Sequence, residues 1–165
     1  MKLSPKQRNQ AGATLLEIMV AAVLLATFFL SIFELNAVCL RYIDASKESV
    51  AALQSVHDRA ETFRNLAFSD LTKSSYIQTL MATPANTSDF CKKATEVVRI
   101  SAFPTPNGVT QFTRSPNGTI TANSVATDLG SSLVQVDVST SWTMTLGGRG
   151  LSEQTSTIIS SGSKK

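Results

Sequence analysis

From Leu15 to Phe33 the chain is apolar at nearly every position, and Glu17 is the only charged side chain in those 19 residues. At ~1.5 Å per helical residue the run reaches about 28 Å, close to the ~30 Å hydrocarbon thickness of a bilayer. Glu34 and Asn36 end it. A cleaved secretory signal has a shorter apolar region of ~7–15 residues followed by small residues at its cleavage site. Here Glu34-Leu35-Asn36 follows instead. A core helix of a soluble domain is seldom apolar on every side. The pattern predicts a membrane-spanning helix over 13–34.

Beyond it the pattern becomes amphipathic. Neither glycine nor proline occurs from Ala13 to Thr83, a stretch of 71 residues. Apolar or small side chains recur at Leu35, Val38, Tyr42, Ala45, Val50, Leu53, Val56, Ala60, Phe63 and Ala67. Their spacing of three to five residues is helical. Arg41, Asp44, Lys47, Glu48, Asp58, Arg59, Glu61 and Arg64 fall between them and read as the solvated side. One long helix is expected from Thr14 to Leu66, its second half, 35–68, lying on a soluble domain. The heptads are too irregular to favour a coiled coil. His57 stands alone on this helix, with no cysteine or acid at metal-ligand spacing, and reads as a half-exposed surface histidine.

After Phe68 the helical pattern stops. Ser69–Asp89 is polar and irregular, with Pro84 and Asn86, and reads as a loop carrying at most a helical turn at Tyr76–Met81. Strand-like runs follow at Thr95–Phe103, Val109–Arg114 and Gly118–Ala122, separated by turn signals at Pro104–Gly108 and Pro116–Gly118. In the last third Val134, Val136 and Val138 share one face of an alternating run that Trp142, Met144 and Leu146 can continue. Gly147-Gly148-Arg149-Gly150 then turns the chain into a returning strand from Leu151. The fold class is α+β: a long N-terminal helix packed on a small antiparallel sheet, with the loop and sheet occupying 69–165. The strand order is not legible.

Charge changes the picture at one end only. The chain carries 15 basic and 12 acidic side chains, but Lys2, Lys6 and Arg8 lie before Gly12 with no acid among them. The remainder is balanced, and no lysine occurs between Ala94 and Ser163, a region crowded with serine and threonine. A nucleic-acid-binding face would need clustered cations on the folded domain, so no nucleic-acid partner is expected. Two cysteines, Cys39 and Cys91, are too few for a disulfide framework. One Cys39–Cys91 bridge is open to an extracytoplasmic domain, and two free thiols are the alternative.

Residues 1–12 form a basic leader that ends in Gly12; Ala13, Thr14, Leu15, Leu16 and Glu17 follow, and the apolar helix begins at once. This resembles the N-terminal signal of type IV pilins and of the pseudopilins of type II secretion, most closely a minor member of either group. The resemblance covers roughly Lys2 to Phe33. It implies that a prepilin peptidase cuts between Gly12 and Ala13, where glycine leaves the scissile bond uncrowded, and methylates the new amine of Ala13. The family most often has phenylalanine at that first mature position, where this chain has alanine. The resemblance further implies that Glu17, the fifth mature residue, meets the N-terminal amine of a neighbouring subunit, with the Thr14 hydroxyl available to the same acid. The implied partners are other pilin or pseudopilin subunits, the peptidase, an inner-membrane assembly platform and membrane lipid. The implied location is the inner membrane, N-terminus cytoplasmic, and then a pilus or pseudopilus. Pilus, secretion and DNA-uptake machines share the signal. The late cysteine-bounded loop of many major pilins is absent.

The residues suggest no catalysis. There is one histidine, no nucleophile elbow, no phosphate loop and no carboxylates at metal spacing, so no enzyme, metal or cofactor is expected. Asn86-Thr87-Ser88 and Asn117-Gly118-Thr119 match a glycosylation pattern and read as chance. Two functions compete: a processed structural subunit of a filament, and an uncleaved single-pass anchor carrying an extracytoplasmic binding domain.

Overall fold

The structure is a computed structural model, and it describes residues 14–130 and 132–162. The predicted cleavage site, Gly12 and Ala13, lies outside them. The chain divides into two compact units, one ending at Leu40 and the other beginning at Arg41.

Helix α1 runs without interruption from Leu15 to Arg64, 50 residues, as the absence of glycine and proline allows. Thr14 caps it. Its carbonyl accepts from Ile18 N–H at 3.1 Å, and its hydroxyl from Glu17 N–H at 3.3 Å. Every described side chain of the first unit is exposed, the apolar ones included. The few hydroxyls in the apolar stretch bond within the helix: Thr27 donates to the Val23 and Leu24 carbonyls, and Ser31 to that of Thr27. Such internal satisfaction is what a helix in hydrocarbon requires.

The second unit is a helical layer on a sheet. After α1 come α2 (Phe68–Leu71), α3 (Ser74–Met81) and α4 (Asp89–Lys93), then five strands: β1 (Thr95–Ala102), β2 (Val109–Arg114), β3 (Ile120–Ser124), β4 (Leu133–Thr143) and β5 (Gly150–Ser160). All neighbours are antiparallel, in the order β3-β2-β1-β4-β5. The expected final hairpin is present, paired along its whole length. Met144 N–H donates to the Arg149 carbonyl at 2.8 Å, and Gly147 and Gly148 take φ of +78° and +64°, which other residues adopt only under strain. Met144 and Leu146 belong to this turn and do not extend β4.

The core forms where one sheet face meets the helices. Val98, Ile100, Phe112, Val134, Val136 and Val138 pack with Val56, Ala60 and Phe63 of α1 and with Leu71, Ile77 and Met81. The opposite face is polar: Arg99 lies between Gln111 and Asp137 in register and is exposed.

Three expectations need correction. The 69–89 segment is largely helical, because Leu71, Ile77 and Met81 point into the core. On α1 the buried positions are Ala45, Ala52, Ser55, Val56, Arg59, Ala60 and Phe63, whereas Val50 and Leu53 are exposed. Arg59, assigned to the solvated side, is 2% exposed.

Arg59 is buried with every nitrogen of its guanidinium bonded. Its Nε and NH2 grip the two oxygens of Glu96 on β1 at 2.6 and 3.0 Å. NH1 and NH2 also donate to the Leu80 and Thr83 carbonyls at 3.2 and 2.7 Å, where α3 ends and its carbonyls lack helical partners. One side chain thus ties α1 to the sheet and to α3. Its neighbour Asp58 accepts from Asn86 Nδ2 at 2.7 Å, and Asn86 Oδ1 accepts from Ser88 N–H and the Cys91 thiol, both at 3.1 Å. The buried Arg114 reaches α4, its NH1 donating to the Cys91 carbonyl at 3.1 Å.

Removing one partner of a buried pair leaves a desolvated charge, at a cost of ~3–5 kcal/mol. Arg59→Ala and Glu96→Gln should each lower stability by about that much in chemical denaturation followed by circular dichroism. The double variant Arg59→Met/Glu96→Leu should lose less than the two singles summed.

On α4 the Lys92 ammonium donates to Asp89 Oδ1 at 2.8 Å, and this bond, then the ammonium's charge, holds the exposed Asp89 carboxyl below its ordinary value. A depressed folded-state pKa stabilises above the unfolded value, and that contribution is lost as pH falls through the folded one. The pair is exposed, so its effect on stability is small. A carbon-detected NMR titration should show Asp89 protonating below the unfolded-state range, and Lys92→Ala should move its midpoint up.

Candidate functional site

The candidate site is the start of α1. Thr14-Leu15-Leu16-Glu17 has the spacing of a capping box, in which a threonine N-cap and an acid three residues later serve the first helical turn. The structure shows the first half of it: the Thr14 hydroxyl accepts from the backbone N–H of Glu17. The hydroxyl expected beside the acid's carboxylate is thus engaged with the acid's amide. The Ser/Thr-x-x-Glu spacing before an apolar run is the sequence signal of this cap.

Glu17 occupies the first turn of α1, where the positive end of the helix dipole favours an anion. Its side chain is exposed, and no ion pair among the described residues includes it. The next acid is Glu34 and the next base Arg41, both far along the helix. Leu15, Leu16, Ile18, Met19 and Val20 around it are all more than half exposed. The described chain thus presents a single carboxylate set in an uncovered apolar surface. In hydrocarbon such a group costs ~2.5–3.5 kcal/mol on insertion scales.

The two cysteines are free thiols. Cys39 is exposed on α1, and Cys91 is buried on α4. Among the described residues no group of three or more His, Cys, Asp or Glu side chains is arranged to hold a metal.

A family model described as the prokaryotic N-terminal methylation motif matches residues 7–33. This match supports a type IV pilin-like chain. It spans the end of the basic leader, Gly12, Ala13, the Thr14–Glu17 cap and the apolar run to Phe33. The pilin-like motif marks a structural family, not an enzymatic one, and with the exposed apolar helix it fits membrane anchoring. No curated protein and no solved structure matches the chain at a significant level.

Proposed function

We propose that the chain is a minor pilin-like or pseudopilin-like structural subunit. Prepilin peptidase cuts it between Gly12 and Ala13 and methylates the Ala13 amine, and the mature chain assembles through its apolar helix into a type IV pilus or a type II secretion pseudopilus. Glu17 carries the reading: a carboxylate in an uncovered apolar helix, inside the matched motif and with no ion pair among the described residues. Cleavage frees an amine four residues from it in sequence. In a filament that amine meets the Glu17 of another subunit. Docking removes the cost of a lone charge in lipid, so the acid favours assembly and fixes the axial register between helices.

Before assembly the helix crosses the inner membrane with its N-terminus in the cytoplasm and the sheet domain outside, as the basic leader dictates. The assembly platform and lipid are its partners at that stage. The missing late cysteine-bounded loop favours a minor position.

In a host with prepilin peptidase, intact mass and N-terminal sequencing of the membrane-extracted protein should show loss of residues 1–12 and a chain beginning at Ala13. A mature chain that keeps Met1 would instead leave an uncleaved anchor bearing a binding domain. Glu17→Val should still be cut, but its incorporation into sheared filaments should drop about tenfold or more, as loss of ~1.4 kcal/mol or more of pairing energy gives. Undiminished incorporation would remove the pairing mechanism.

A further inference from the structure

A cleft of about 360 Å³ lies in the sheet domain, where α4 and the far end of β4 meet α1 at Glu48. Its size is at the small end of the range for small-molecule sites, ~300–1,000 Å³. Phe90 of α4 and Trp142 of β4 form an aromatic wall, edge to face, with ring centroids 5.3 Å apart at 79°. Both rings are only half-buried, and neither belongs to the hydrophobic core or to the partly buried side chains packed on it. They leave aromatic surface open to the cleft that the fold does not use.

The polar groups around the wall are of both kinds. Glu48 is held in place by Thr145, whose N–H donates to it at 3.1 Å and whose hydroxyl also bonds to it. Each of its oxygens keeps a free lone pair. Asp89 offers Oδ2, its Oδ1 being engaged by Lys92. Lys93 and Thr143 add donors, and no ion pair among the described residues includes Lys93. Two acids oppose an anion, and the ammonium opposes a cation. The set suits a neutral ligand with an apolar face for the rings and an edge of hydroxyls that both donate and accept.

A sugar ring has that chemistry, and we propose that this cleft binds a saccharide. The axial and equatorial C–H groups lie against Trp142 and Phe90, the hydroxyls donate to Glu48 and Asp89, and Lys93 donates to a hydroxyl oxygen. The walls are preorganised, since Arg114 fixes α4 through the Cys91 carbonyl. Trp142 lies on the same strand as the core valines Val134, Val136 and Val138.

Trp142 is the only tryptophan in the chain, so its emission reports on the cleft alone. The test uses the full-length protein in a zwitterionic detergent without a sugar head group. Maltose, cellobiose, lactose and N,N′-diacetylchitobiose are titrated into the millimolar range, with calorimetry on the same samples. A saturable response to at least one of these sugars is expected. Lys93→Ala and Glu48→Gln should each weaken it about tenfold, the scale of one lost charged hydrogen bond, while the far-ultraviolet spectrum stays unchanged. Absence of saturable heat and emission change with every sugar would overturn the proposal. So would a response to arginine methyl ester with none to the sugars, which would make the cleft a cation site.

Discussion

A polar group withdrawn from water must find a partner, and the pair of Arg59 with Glu96 is where this fold meets that demand most fully. The guanidinium spends its donors on both oxygens of one carboxylate and on two carbonyls at the end of α3. In register Glu96 stands between Thr140 of β4 and Arg114 of β2, so the clamp grips the central strand of the sheet near its start. Arg114 ties in α4 by a single bond to the Cys91 carbonyl. Short helices such as α2, α3 and α4 are not stable by themselves. The last two persist because Arg59 and Arg114 donate to carbonyls at or near their C-terminal ends, and the first two because Leu71, Ile77 and Met81 join the core.

The same rule applied to the first unit gives the opposite result. There the hydroxyls of Thr27 and Ser31 bond within the helix, while Glu17 is left with a helix dipole and no ion pair among the described residues. Two of the charges on one helix therefore meet different fates. Arg59 is satisfied inside the domain and builds it. Glu17 is not, and in the proposed function its satisfaction comes from a second molecule. Stability and assembly are then two uses of a single physical requirement, separated along α1.

Much of this was legible from residue order. The uninterrupted helix follows from 71 residues without glycine or proline, and the last hairpin follows from alternating valines and a glycine-rich turn. What failed was the assignment of sides. Arg59 looks like surface because arginine usually is, and nothing local reveals that Glu96, 37 residues away, will face it. Leu53 and Val50 look like core, yet the helix turns them outward and buries the small Ala52 and Ser55 instead. The helices in 68–93 were obscured because they are short and their polar positions dominate a window. Strand order depends on long-range pairing that no local pattern encodes. At the candidate site the carboxylate was legible, and the capping role of Thr14 was present in the same four letters but overshadowed by it.

In the proposed function the lone acid of the apolar helix is neutralised by the freed amine of another copy or relative. Zero-length carbodiimide coupling of assembled fibres, followed by peptide mapping, tests it most directly. An amide should join the Ala13 nitrogen of one subunit to the Glu17 carboxyl of another and be absent in Glu17→Gln. Fibres in which Glu17 instead reacts freely with a soluble amine, and no Ala13–Glu17 link forms, would contradict it.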